Sequence, residues 1–172
     1  MTLEEELVSR HIGKSIALDS NLLLVLIAGS LGARLFNSFK RVNEYSIEDY
    51  ELLVRLLKSF GALITTPHVL TEVNNLANSL RDSYKYEWHS YFAALVGSEK
   101  NIGVQEKWTP AAELAKSPEF TAFGITDAAL TELTAEALVL TDDYRLSGSL
   151  RSRGIPVLNF RDLRKLQLFV NG

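Results

Sequence analysis

Acidic residues at four separate positions of this sequence could perform chemistry together: Asp19, Glu72, Asp127 and the adjacent pair Asp142 and Asp143. Asp19 interrupts an otherwise apolar run, where a buried carboxylate without partners is costly. Carboxylates that converge repel one another, and hard divalent cations such as Mg²⁺ relieve that repulsion because they prefer oxygen ligands. A cation held in this way suits hydrolysis of a phosphate ester, because it polarises the phosphate and generates a hydroxide nucleophile.

Each acid also has a simpler explanation. Asp19 could form an Asx-turn with its own backbone, and Asp127 could only favour the N-terminus of a helix. Glu72 could pair with a lysine at the rim of a site, and Asp142 and Asp143 could be turn residues. The metal-binding hypothesis therefore depends on whether the fold brings these residues together.

The elements that must position the acids are alternating short strands and helices, a pattern that favours a parallel sheet covered by helices. Strands are predicted at 16–18, 62–65, 102–106, 137–140 and 155–160. Helices are predicted at 22–35, 47–60 after a cap at Ser46, 67–80 after a cap at Thr66, 84–96, 110–116, 126–136 with Thr126 as its cap, and 147–153. No linker or internal repeat divides the chain, so one domain over residues 1–172 is predicted.

Ligands of open α/β sheets bind beyond the carboxyl ends of the strands. Asp19 ends the first predicted strand, and Asp142 and Asp143 end the fourth. Glu72 is spaced for the buried stripe of its helix, and Asp127 lies in the first turn of its helix. The spacing therefore predicts that the acids face one edge of the sheet.

Composition excludes several classes of protein. The chain has 172 residues, 47% of them apolar and 23% charged, which are ordinary values for a globular protein. It contains no cysteine, so neither disulfides nor thiolate metal sites are available. The longest apolar stretch is too short to cross a membrane, and the acidic start does not resemble a signal peptide. We expect a cytoplasmic location and no membrane partner.

Positive charge is concentrated near the end of the chain. The net charge is −3, yet the last 29 residues carry six basic side chains and one acidic one. Arg145, Arg151 and Arg153 are therefore candidate contacts to RNA phosphates, although a solvated helix face explains the same pattern.

Four short segments resemble the ordered acidic motifs of the PIN-domain ribonucleases, which include VapC-type toxins. These segments are 18–23 (LDSNLL), 69–73 (VLTEV), 124–128 (GITDA) and 139–143 (VLTDD). The resemblance covers roughly residues 16–160. It implies a three-layer α/β/α sandwich with a central parallel sheet in the strand order 3-2-1-4-5. It also implies a Mg²⁺- or Mn²⁺-dependent endoribonuclease that hydrolyses single-stranded RNA.

The same resemblance assigns roles to individual residues. The catalytic, metal-binding acids would be Asp19, Glu72, Asp127 and Asp143, because the fourth motif has the pattern threonine, any residue, aspartate. The supporting polar residues would be Ser20, Asn21, Thr141 and Asp142. Candidate partners are structured or single-stranded RNA, an antitoxin protein and a second copy of the chain.

Two departures from the family bear on its role. Residues 1–15 form an extension before the first strand, and the segment 37–60 is longer than usual. They weaken the toxin hypothesis more than the predicted fold or chemistry.

The rival hypothesis is a non-catalytic PIN-like module that binds protein or RNA. Such a module would be expected to lose one or more of the acids, and all four are present.

Overall fold

Five parallel strands form the centre of the molecule. The computed structural model describes residues 1–97 and 104–170. The strands are β1 (Ser15–Leu18), β2 (Ala62–Thr65), β3 (Val104–Glu106), β4 (Ala137–Thr141) and β5 (Val157–Asn159). They lie in the order β3-β2-β1-β4-β5, which confirms the predicted order 3-2-1-4-5. In the central register, Ala17 of β1 aligns with Ile64 of β2 and Val139 of β4.

Helices connect and flank the strands in the described part of the chain. They are α1 (Leu3–His11), α2 (Ser20–Ser30), α3 (Ala33–Ser38), α4 (Ile47–Leu57), α5 (Pro67–Ala77), α6 (Asp82–Gly97), α7 (Ala111–Leu114), α8 (Pro118–Phe123), α9 (Ile125–Glu132), α10 (Tyr144–Ser152) and α11 (Phe160–Val170). Two 3-10 helices, Lys40–Val42 and Leu133–Ala135, follow α3 and α9. No described helix is both long and apolar enough to cross a membrane.

Alternate residues of the strands enter two separate apolar clusters. Ile16 and Leu18 of β1 belong to the larger cluster, which includes Trp88 of α6 and side chains of α2, α4 and α5. Ala17 belongs to the smaller cluster, with Leu130 of α9 and side chains of α10. Successive side chains of a strand point to opposite faces, so the sheet is covered on both. This explains why β1 and β4 are continuously apolar.

The predicted caps of two helices are confirmed. The Ser46 hydroxyl accepts a hydrogen bond from the backbone N–H of Asp49, whose side chain accepts one from Ser46 N–H in return, so α4 begins with a capping box. The Thr66 side chain caps α5, and Pro67 occupies its first turn. These starts fix α5, and with it Glu72, relative to the end of β2.

The extension before β1 folds as a helix. Thr2 caps α1 in a capping box with Glu5, and Leu7 is buried. The helix packs near β5, where Glu4 forms an ion pair with Arg151. The predicted extension is therefore part of the folded structure.

Several predicted helix boundaries are wrong: α2 begins at Ser20, α4 ends at Leu57, α5 at Ala77 and α9 at Glu132. Glycines explain two further differences. The helix predicted at 22–35 ends at Ser30, and α3 begins at Ala33 after Gly32, which has a φ of 104°. Thr126 is not a cap, because α9 begins at Ile125 after Gly124, which has a φ of 97°. A positive φ favours glycine and breaks a right-handed helix.

The end of the chain also differs from the prediction. The strand predicted at 155–160 is only Val157–Asn159, and Phe160 begins α11, which was not predicted. The helix predicted at 147–153 starts earlier, at Tyr144, because Asp143 caps it. Helix α8 was missed, and the helix predicted at 110–116 is Ala111–Leu114. Of the strand predicted at 102–106, residues 102–103 lie outside the described residues.

Candidate functional site

The four acids predicted to bind metal lie near one another at the carboxyl edge of the sheet. Asp19 follows β1 directly, and Asp143 follows the end of β4. Glu72 comes from α5 and Asp127 from the first turn of α9. Burial and, to a smaller extent, the negative charges of Asp19, Asp143 and Glu72 together raise the pKa of Asp127 to about 7. The fold therefore brings together carboxylates from four separate elements.

Asp19 is held by three hydrogen-bond donors. Its Oδ1 accepts from the backbone N–H of Leu22 at 2.8 Å, which caps α2. Its Oδ2 accepts from the Thr141 hydroxyl and from the backbone N–H of Asp142, both at 2.7 Å. The side chain is only 6% exposed, and burial raises its pKa to about 6 even though these three hydrogen bonds lower it. The local capping role is thus real, and Asp19 also ties β1 to the end of β4.

Thr141 connects the acids across the end of β4. Its hydroxyl is fully buried; it donates to Asp19 and accepts from the backbone N–H of Asp143 at 3.0 Å. This chain of hydrogen bonds fixes the backbone on which Asp143 stands. Thr141 therefore lies between Asp19 and Asp143, two of the predicted acids.

The adjacent acids Asp142 and Asp143 have different surroundings. Buried Asp142 accepts a hydrogen bond from the Tyr45 hydroxyl at 2.8 Å and another from Arg161 Nε at 3.1 Å. Asp143 is exposed, and its Oδ1 accepts from the backbone N–H groups of Arg145 and Leu146 at the start of α10. Asp143 helps to raise the pKa of Asp127. Asp142 acts on Asp19 in the same way, but it is paired with Arg161, so the surroundings favour Asp143 over Asp142 as a member of the acid site.

Two further supporting residues lie beside the acids. The Ser20 hydroxyl donates to Glu72 Oε2 at 2.8 Å, so α2 orients the carboxylate of α5. Asn21 is exposed and lines a neighbouring cleft. Asp127 accepts no hydrogen bond from any described residue, and none of the four acids forms an ion pair with a described lysine or arginine.

Two clefts meet beside the acid site. The first, of about 570 Å³, contains Asp143; the second, of about 520 Å³, contains Glu72; Leu76 borders both. Asp19 and Asp127 line neither cleft, so the clefts border the acid site at Asp143 and at Glu72.

Of the three predicted RNA-contacting arginines, only Arg145 lines these clefts. Arg151 forms ion pairs with Asp162 at 3.1 Å and with Glu4 at 3.3 Å. Arg153 forms an ion pair with buried Glu119. The last two arginines therefore serve the fold in this structure.

Three basic residues of the first cleft were not predicted from the sequence: Lys40, Arg41 and Arg161. Arg161 lies two residues beyond the last residue of β5, at the same edge of the sheet as the acids. Correct placement of the boundary between β5 and α11 would have revealed it. Lys40 and Arg41 lie in the long segment between α3 and α4, and no local sequence signal identifies them.

The chemistry of the acids fits Mg²⁺ or Mn²⁺, because all candidate ligands are carboxylate oxygens and no described cation neutralises them. As they stand, however, no three acidic or histidine side chains in the described ranges are arranged to hold a metal ion. A fitting donor set is therefore present without a preformed coordination shell.

The fold and the site define the class of protein coarsely: an α/β protein with five parallel strands flanked by helices and with acidic side chains at the carboxyl edge of the sheet. Comparison with protein-family models, with curated proteins and with solved structures gave no match. A fold of this kind carries many functions, so function has to be argued from the site.

Proposed function

We propose that this protein is a PIN-like, Mg²⁺- or Mn²⁺-dependent endoribonuclease that hydrolyses phosphodiester bonds of single-stranded RNA. The observation that carries the proposal is the placement of four acids, from four separate elements, at one edge of the sheet. Among them, Asp127 accepts no hydrogen bond from the described residues, and burial and the neighbouring acids raise its pKa to about 7. A divalent cation is the ligand that most directly relieves such repulsion.

The ion would be held by Asp19, Glu72, Asp127 and Asp143, and it would supply a polarised phosphate and an activated water. Ser20 keeps the Glu72 carboxylate turned towards α2 through its hydrogen bond. The Asp19 carboxylate fixes the ends of β1 and β4 relative to each other. These contacts restrain Glu72 and Asp19, while the acids as a set would still have to adjust to coordinate an ion.

Single-stranded RNA is the substrate that the resemblance of the acidic segments implies, and two clefts that share Leu76, one lined by Asp143 and the other by Glu72, support it. An extended strand that occupies both clefts would place its scissile phosphate between them. The toxin role, an antitoxin partner and a homodimer rest on the resemblance of the four acidic segments alone.

One observation favours the rival function, a non-catalytic module that binds protein or RNA. The described acids are not arranged as a ready metal site, and Asp19 and Asp143 already accept hydrogen bonds that stabilise the fold. The two functions differ in one measurable respect, since only the enzyme cleaves RNA.

Cleavage of a labelled single-stranded RNA, with Mn²⁺ or Mg²⁺ and with EDTA, tests the proposal. Asp127→Asn is the sharpest variant, because Asp127 supports no described hydrogen bond that the substitution would break. Asp82→Asn, an exposed aspartate at the start of α6, is the matched control. We expect cleavage only with metal. The cleavage rate should fall at least roughly tenfold in Asp127→Asn, about 1.4 kcal/mol, and should not change in the control. Cleavage that EDTA leaves undiminished would overturn the proposal.

A further inference from the structure

The first cleft beside the acid site is lined by four basic residues from three separate parts of the chain. Lys40 and Arg41 come from the 3-10 helix after α3, Arg145 from α10 and Arg161 from α11. Acidic side chains, Glu44, Asp142 and Asp143, line the same cleft. The arrangement of these charges decides what the cleft can bind.

The acids of the cleft leave most of the positive charge available. Asp142 engages Arg161 only through Nε, and the terminal nitrogens of that guanidinium have no hydrogen-bond partner among the described residues. Within the described part of the chain, Lys40, Arg41 and Arg145 form no ion pair. Arg145 stacks over the Phe123 ring at 5.6 Å, a contact that leaves its donors free.

The backbone that carries Lys40 and Arg41 is firmly anchored. Phe39 and Val42, which flank the two cations, are 1% and 0% exposed. Tyr45 is tied to Asp142 through its hydroxyl. The two cations are therefore presented to solvent from a fixed platform, which lowers the entropy lost when they bind an anion.

We propose that these four residues form a phosphate-binding subsite that holds the backbone of single-stranded nucleic acid beside the acid site. Phosphate is the appropriate anion because guanidinium groups bind it through paired donors and lysine binds it as a point charge. The subsite gives the 3-10 helix between α3 and α4 a binding role. The subsite rests on the proposed function in one respect: the nucleic-acid strand that it holds would lead to the hydrolytic centre.

The subsite also reduces the electrostatic repulsion between the acid site and a nucleic-acid strand. A polyanion approaching four clustered carboxylates is repelled, and cations along the neighbouring cleft offset that repulsion. Because the contacts are made to phosphates, they should be independent of base sequence and sensitive to salt.

The test measures binding without cleavage. A short, fluorescently labelled 2′-O-methyl RNA is titrated in EDTA at several salt concentrations, and fluorescence anisotropy gives the affinity. The test variant is Lys40→Gln/Arg41→Gln. The matched control is Arg10→Gln/Lys14→Gln, which removes the same two charge types from exposed positions just before β1, at the opposite edge of the sheet.

We expect the slope of log affinity against log salt to shrink by about 1.4 in the test variant, or about 0.7 for each lost contact. The control variant should keep the wild-type slope. Equal slopes for the wild type and the test variant, or equal losses in test and control, would overturn the subsite. Displacement of the RNA by polyglutamate at equal charge concentration would also overturn it, because the cleft would then recognise charge without preference for phosphate.

The outcome is independent of the proposed enzyme activity. If the wild type cleaves no RNA with Mn²⁺ but the slope falls as expected, the subsite stands and the nuclease proposal fails. If the wild type cleaves RNA and Lys40→Gln/Arg41→Gln binds with an unchanged slope, the nuclease proposal stands and the subsite fails.

Discussion

Replacement of Asp19 by asparagine should change stability in a way that depends on pH. Three donors converge on the carboxylate: the backbone N–H groups of Leu22 and Asp142 and the Thr141 hydroxyl. An amide has one acceptor oxygen, so in either orientation at least one buried backbone N–H loses its partner. That loss should destabilise the fold by about 1–3 kcal/mol.

An opposing effect comes from the charge of the wild-type side chain. Burial raises the pKa of Asp19 from 3.8 to about 6. The folded state therefore binds a proton on Asp19 more tightly than the unfolded state does. This proton binding stabilises the fold at low pH, and the stabilisation is lost as the pH rises through 6. The pKa difference corresponds to about 3 kcal/mol of unfolding free energy. Asparagine does not titrate, so the variant should be less stable than the wild type near pH 4 and equally or more stable near pH 8.

Urea unfolding in EDTA measures this directly. Trp88 is fully buried and reports loss of the core by fluorescence. Glu113→Gln, which removes an exposed acid of α7, serves as the control. A difference in unfolding free energy between Asp19→Asn and wild type that is the same at pH 4 and pH 8 would refute the reasoning.

Three further predictions follow from the same contacts. In urea unfolding with EDTA at pH 8, Asp127→Asn should raise the unfolding free energy by about 1–2 kcal/mol, a value reduced because Asp127 is partly exposed. Burial and nearby acids raise the folded pKa of Asp127 to about 7, so the gain should vanish near pH 4. Arg153→Gln should lower the unfolding free energy by about 2–3 kcal/mol in the same assay, since Glu119 would remain buried without a cation. An unchanged urea midpoint would contradict this. Asp143→Asn should weaken Mn²⁺ binding, measured by calorimetry, by roughly tenfold or more, about 1.4 kcal/mol, and Asp142→Asn should not; the reverse ranking would shift the motif by one residue.

Local sequence signals predicted the parts of the fold that depend on local physics. The caps at Ser46 and Thr66 are confirmed because each uses a side chain within three residues of the group it satisfies. The start of α11 was missed because Phe160 continues the apolar run of β5 without a glycine or proline to mark the boundary. Residue types alone could not predict the turn at Gly32 either, since its positive φ is a property of the backbone.

Local sequence signals also predicted one part of the site, the position of its acids. Asp19 and Asp143 follow predicted strands, and Glu72 and Asp127 lie on predicted helices, so their shared edge could be inferred from the sequence. The donors that hold Asp19 come partly from Thr141 and Asp142, more than a hundred residues away. The basic cleft combines Lys40 with Arg161, and no spacing in the sequence relates them. Such pairings depend on how helices and loops pack beside the sheet, which only the folded structure provides.

The four acids differ in how much of the fold each one supports, and this decides what their substitution can prove. Asp19 and Asp143 both accept backbone hydrogen bonds at helix starts, so loss of activity in either variant could follow from a disturbed helix. Glu72 accepts one bond, from Ser20, and Asp127 accepts none from the described residues. A metal ligand can be separated from a structural acid only where the fold survives its neutralisation. Loss of metal affinity in an Asp127→Asn protein that is more stable than the wild type would meet that condition, because a damaged fold cannot produce both results.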